Sequence, residues 1–346
     1  MTQDQAVLDR PGTYGVPRSL SDRPRPVRIV VHIGNFFRHK PLGGFGVLII
    51  GLCVFAALFG DQIQRYDPET IFTSVNPKYD PVIAEKALTD PMVRLEHPAE
   101  VFQKGETPIL FGHPTSDHWL GTDGLGRDLY SRIIHGAWTA LYVGLGAALI
   151  ATIVGVIVGV SSAYFGGAID FFAQRIVDTL QAFPGLVLLL LFGQVVSNPT
   201  LAVNTISLGI LGVASSSRIV RSAVLAAREE VYVMAARTIG ANDVRIMGRH
   251  IFPNITAPII VTFTSSIGLY ILIEATLAFL GLGDPTVVSW GKMIEEGRRN
   301  GTSDPWMALA VGMALTLTVL GFNLAGDALR DVLDPRMRGR GGRAGF

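Results

Sequence analysis

REEVYVMAARTIGANDVRIMGRHIFPN, residues 228–254, is the stretch on which the reading of this chain turns. Two short helices are legible in it. Glu229 and Glu230 put carboxylates at the positive end of a first helix over residues 231–239, and Gly240 supplies a permissive turn. Asn242 or Asp243 can cap a second helix running to about residue 251, which Pro253 is expected to stop. The paired Ala235 and Ala236 leave a flat surface that another protein's groove could seat, ringed by Arg237, Arg245 and Arg249. An amphipathic loop resting on a membrane is the plainer alternative. On either side lie apolar runs, about 201–217 and 255–283. A bilayer core of about 30 Å takes roughly 20 apolar residues of helix, so the polar corner joins two spans.

Working outward, further apolar runs occupy 42–60, about 139–165, about 176–197 and about 306–325. The expected fold is therefore an all-α integral membrane protein with about six transmembrane helices. Composition agrees: 49% of the residues are hydrophobic and only 16% charged, with a mean hydropathy of +0.40, whereas soluble domains carry charge at about a quarter of their positions. A net charge of +1, with arginines scattered among carboxylates, argues against nucleic acid. The single Cys53 excludes an internal disulfide and a cysteine metal cluster.

The expected organisation is a tail and interfacial helix over 1–40 and a first span over 41–60. An external segment follows over 61–138, then a five-helix core over 139–326 that includes the 228–254 corner, and a C-terminal tail over 327–346. Residues 1–26 lack the apolar stretch of a secretory signal. Residues 61–138 are polar and carry seven prolines that break any long helix. With both termini inside, nineteen Lys and Arg face the cytoplasm and ten face outward, the sense that the positive-inside rule favours. Gly155 and Gly159, with Gly144, Gly146 and Ala148, let a neighbouring helix approach span two closely. The weakly apolar span four, with Asn204, Ser207, Ser215, Ser216 and Ser217, belongs among other helices or against water.

The 228–254 corner resembles the cytoplasmic loop of ABC importer permeases: Glu-Ala-Ala, three residues, Gly, nine residues, then Ile-x-Leu-Pro. Met234, Ala235, Ala236, Gly240 and Pro253 fall on that spacing, with Met234 in place of the glutamate, His250 of the isoleucine and Phe252 of the leucine. HWLGTDGLGRDLYSRIIHGAWTAL, residues 118–141, resembles the His-x-Leu-Gly-Thr-Asp-x-x-Gly-Arg-Asp signature of C-type permeases in dipeptide, oligopeptide and nickel importers, matched by His118, Gly121, Thr122, Asp123, Gly126, Arg127 and Asp128. Residues 271–294 and 327–338 are similar to two further segments of that family.

The resemblance implies a type I ABC importer permease fold in a bacterial inner membrane, working by alternating access. Its partners would be a second homologous permease, two ATP-binding subunits that hold the ATP and magnesium, and an external substrate-binding protein. The chain itself would bear no cofactor and perform no catalysis. Ala235, Ala236 and Gly240, with Arg237 at the edge, would couple ATPase closure to the helices. Short peptides lead as substrate, with nickel chelates and other small solutes as alternatives.

Glu274 lies within span five, where a carboxylate must pair or protonate, through a functional role or a structural hydrogen bond. His113, Asp117 and His118 lack a further obvious metal ligand pair. An ion-driven secondary transporter would show half-chain repeats with matching broken spans, which the sequence lacks. No phosphate-cradling Gly-x-x-x-x-Gly-Lys-Ser/Thr loop is present.

Overall fold

The computed structural model describes residues 40–75, 83, 106–195, 200–299 and 305–333. The expected interfacial helix before Pro41, the middle of the external segment and the chain beyond Leu333 lie outside the described residues. The elements are α1 (Pro41–Leu58), α2 (Gly60–Ile63), β1 (Thr73–Val75), β2 (Glu106–Pro108), α3 (Leu129–Phe165), α4 (Gly167–Gln181), α5 (Gly185–Val195), α6 (Leu201–Arg228) and α7 (Val231–Thr238). There follow α8 (Asp243–Arg245), a π-helical segment (Ile246–Ile251), α9 (Phe252–Phe279), α10 (Trp290–Arg299) and α11 (Trp306–Leu333). Among the described residues five helices are long and apolar enough to cross a bilayer, and there are six candidate spans if the bent α4–α5 pair counts as one.

The differences from expectation have local causes. Helix α3 starts at Leu129, well before the apolar run, because Asp128 caps it: its side chain accepts from the Ser131 N–H at 2.9 Å. Its 37 residues are about 56 Å long, so it outreaches the bilayer core. The third span is not one rod. Ala182, Phe183 and Pro184 separate α4 from α5, which bend by 76°; proline lacks the N–H that would continue the ladder.

Pro253 does not stop a helix as expected. The chain runs from Asp243 to Phe279 as one 37-residue span, with Pro253 in the first turn of α9. A proline ring clashes with the carbonyl four residues back, and the widened π turn before it accommodates this: the Phe252 N–H donates to Met247 O, five residues earlier. α6 and α11 also continue beyond their apolar runs, to Arg228 and Leu333, as their polar ends run on in helix.

The most extensive packing joins α3 to α6, through the expected small residues. A Cβ at Gly155 would sit 2.6 Å from the Ser216 side chain, and one at Gly159 would sit 2.6 Å from Ser217 O, so the backbones meet closely and gain dispersion contacts. Of the polar residues of span four, Asn204, Ser216 and Ser217 are buried, as is Thr205, whereas Ser207 is half-buried and Ser215 exposed; the Asn204 amide donates to Leu282 O at 3.0 Å. The Lys40 ammonium meets Asp331 at 2.6 Å, which brings the start of α1 and the end of α11 to one face. A second, smaller core packs Ala163, Tyr164, Val220 and Val224 against Val233, Ala236, Ile246 and Ile255. It fastens the 228–254 corner to the bundle.

Candidate functional site

The corner is built by two caps. At the end of α7 the Gly240 N–H donates to Arg237 O and the Ala241 N–H to Ala236 O, both at 3.0 Å. With Gly240 at φ +80 this is a Schellman motif, and any residue with a Cβ is strained there. Asn242, of the two candidates, caps α8 by accepting from the Arg245 N–H at 2.9 Å. Three contacts then tie the corner to the end of α3. The Tyr164 hydroxyl donates to Asp243 at 2.6 Å, the Arg237 guanidinium lies 5.5 Å over the Tyr164 ring, and Arg228 donates to Ala163 O at 3.0 Å.

The two alanines do not form one outward surface. Ala235 is exposed, while Ala236 is buried against the bundle with Val233, because adjacent helical positions are about 100° apart. The outward face is instead apolar: Val231, Met234, Ile239 at 85% exposure and Val244 at 75%. Only Met234 of these was singled out from the sequence. The Glu-Ala-Ala spacing hid the other three, although a run of apolar residues in a charged loop is a readable signal. Pro253 is exposed at the head of α9.

At the opposite end of α3 the His118–Asp128 signature forms a buried polar knot. Asp123 is fully buried. One of its oxygens accepts from the Leu125 and Arg127 N–H groups, each at 2.9 Å. The other takes Arg127 Nε at 2.8 Å and has Arg132 Nε at 3.2 Å. Glu69 bridges the same two arginines, at 3.1 and 3.0 Å. Asp128, besides capping α3, lies 2.9 Å from His118 Nδ1, which makes that nitrogen the donor.

Thr122 Oγ1 accepts from the Gly112 N–H at 2.8 Å and donates to Ile109 O. Gly121 and Gly126 both sit at φ +84, and a Cβ on Gly121 would run into Gly112 O. Glu69, Arg132 and Glu296 were not picked out from the sequence, since they lie outside the motif or far from it. Glu296 stands beside the knot, 3.7 Å from Arg127. Burial pushes its carboxyl above the ordinary range against the pull of Arg132.

Glu274 is 4% exposed and accepts from Ser289 Oγ at 2.9 Å; Ser289 Oγ in turn accepts from the Gly291 N–H at 3.2 Å. That chain binds the C-terminal end of α9 to α10. Among the described residues no three His, Cys, Asp or Glu side chains converge as metal ligands, and His118 is committed to Asp128. The knot is suited to fixing a helix terminus, and the corner to contact with another surface.

The family model described as "Binding-protein-dependent transport system inner membrane component" matches residues 151–339. The chain is 42% identical over 226 residues to the dipeptide transport system permease protein DppC of Alkalihalophilus pseudofirmus, covering 65% of this chain and 74% of that protein. It is 34% identical over 303 residues to the oligopeptide transport system permease protein OppC of Bacillus subtilis, covering 87% and 88%. A solved structure of the MetNI methionine ABC transporter in inward-facing conformations superposes with a TM-score of 0.50 at 18% identity, covering 59% of this chain and 96% of that one.

Proposed function

From the premise that the chain belongs to the binding-protein-dependent transport system inner membrane component family, and within it to the DppC- and OppC-like permeases, we propose that it forms, with a second homologous permease, the path by which short peptides are imported at the expense of ATP. An external binding protein delivers the peptide. Two ATP-binding subunits, which hold the ATP and magnesium, dock on the 228–254 corner from the cytoplasm, and both termini of this chain lie on that side of a bacterial inner membrane. Alternating access follows when closure of the ATPases moves the corner and, through it, the helices. This chain performs no chemistry of its own.

The observation that carries the reading is the apolar outward face of the corner. Val231, Met234, Ile239 and Val244 are exposed on an otherwise tightly capped turn, and full burial of one such side chain is worth about 1.5–3 kcal/mol. The contacts from Arg237 and Asp243 to Tyr164, and from Arg228 to Ala163, give a push on the corner a route to α3.

The test is to extract the tagged chain from its own membrane in mild detergent, identify what accompanies it by mass spectrometry, and assay ATP hydrolysis. A second permease with one or two ATPases is the expected result. A chain that comes alone and still carries solute, indifferent to ATP, would make it a gradient-driven transporter.

A further inference from the structure

At the end of the bundle that carries residues 106–128, a groove of about 670 Å³ opens between α1, α3 and α6. Its walls are Val54, Leu58, Leu145, Leu149 and Ile206, and its floor is the buried Ile267 and Phe322. The wall's one hydroxyl beyond the tyrosine, Thr205 Oγ1, is spent within its own helix, donating to Leu201 O at 2.7 Å. Beyond Trp138 and Tyr142 a peptide in transit would find no free partners for its amides, so that part of the groove suits hydrocarbon and not the cargo.

Along α3 the lining runs from Trp138 to Ile150, a rise of about 18 Å, close to one leaflet of a hydrocarbon core of about 30 Å. At Trp138 it passes into a second cavity of about 280 Å³, which shares Ala57, Leu58 and Trp138 and adds Asp61 and His135. Trp138 and Tyr142 mark this mouth as the aromatic belt at the bilayer surface. His135 Nδ1 and the Asp61 carboxylate stand 3.9 Å apart, beyond hydrogen-bond reach, with both side chains open to solvent. A carboxylate and two N–H donors, on His135 and Trp138, thus sit where the dry groove meets water.

We propose that this composite groove is a binding site for one phospholipid of that leaflet. Its acyl chain lies along α3 between α1 and α6, and its zwitterionic headgroup is read at the mouth. The headgroup ammonium pairs with Asp61, and its phosphate accepts from His135 and the Trp138 indole. An ethanolamine headgroup fits this arrangement, because an anionic glycerol headgroup would offer Asp61 no cation. The lipid would seal the seam between α1 and the bundle. This goes beyond the transport reading and does not depend on which substrate is carried.

The test is native mass spectrometry of the chain, with the subunits that accompany it, after incubation with vesicles of phosphatidylethanolamine or of phosphatidylglycerol. A retained one-lipid adduct is expected with the former and much less with the latter. Ala57→Phe and Ala202→Leu, which fill the groove from opposite walls, should each abolish the adduct while the protein still purifies folded. Asp61→Asn should keep an adduct but lose the preference for ethanolamine. Three results would overturn the proposal: no retained phospholipid, an adduct indifferent to both groove-filling variants, or a cysteine placed at Leu145 that cross-links to a second permease, which would make the groove a subunit interface.

Discussion

The two ends of α3 solve opposite problems. At its N-terminal end Asp123, Arg127, Asp128 and Arg132 are buried, and each is met by another side chain of the same knot. At its C-terminal end the corner that packs on Tyr164 turns Ile239 and Val244 outward with no apolar surface over them. Burying charges costs several kcal/mol per ion unless the pairing is complete, so the knot is a device for holding one geometry. Exposed apolar side chains on a capped turn add little to the stability of this chain, and the docking proposed above gives them a use. A substitution at the N-terminal end should therefore read out as stability, and one at the C-terminal end as transport.

The largest effect is expected from Asp123→Ala. It removes the one fully buried carboxylate that Arg127 and Arg132 share and leaves them the largely exposed Glu69; breaking a buried pair costs about 3–5 kcal/mol. A thermal-shift measurement in detergent should show a strongly lowered melting temperature, with poor insertion in cells; an unchanged midpoint would mean that the knot is not a stabilising element.

Next comes Gly240→Pro, which removes both the positive φ and the N–H that closes the turn on Arg237 O. Uptake should be abolished in a protein inserted at normal levels, and normal ATP-dependent uptake by that variant would break the assignment of the corner. Gly240→Ala keeps the N–H and strains the backbone by roughly 1–2 kcal/mol, so a partial loss of uptake should sharpen the comparison.

Asp128→Ala loses the cap of α3 and the partner of His118. A destabilisation of about 0.5–2 kcal/mol from the cap alone is expected, with coupling of ATP hydrolysis to uptake retained in the surviving protein.

The smallest effect is a pH dependence at Glu296. Its folded carboxyl is raised, chiefly by burial, so the protonated form is favoured in the folded state. That contribution is fully present below the unfolded value of about 4.3 and is lost as pH rises through the folded one. Melting curves of the wild type should fall relative to Glu296→Gln as pH is raised from below about 4 to neutrality; parallel curves would show that the arginines beside it dominate.

The spans and the corner were legible because their signals are local. Apolar run length marks a crossing, and a glycine between two short helices marks a turn that the Schellman geometry at Gly240 confirms. The close approach of a neighbouring helix to α3 was legible for the same reason, from Gly155 and Gly159, but that the neighbour is α6 was not. What escaped depends on contacts distant in sequence. Ser131 and Arg132 make the start of α3 look like loop, and only Asp123, Asp128 and Glu69 show why those polar groups can be helical and buried. The break at Pro184 carried a signal in the proline itself, but its 76° bend did not. Pro253 read as a stop because the π turn that accommodates it leaves no trace in residue type. The inward turn of Ala236 follows from helical phase, which the flat-surface reading of the two alanines passed over.

The central claim is that the corner's apolar face transmits work from ATP-hydrolysing partners, and Ile239→Asp tests it most directly. Ile239 is almost wholly exposed, so the substitution leaves the fold alone and spoils only the contact. The measurement is peptide uptake together with ATP hydrolysis in proteoliposomes holding the purified assembly, with a melting curve of the same sample. An unchanged melting curve, with uptake lost and the ATPase subunits detached or uncoupled, is the predicted result. Full ATP-driven uptake by Ile239→Asp would contradict the account.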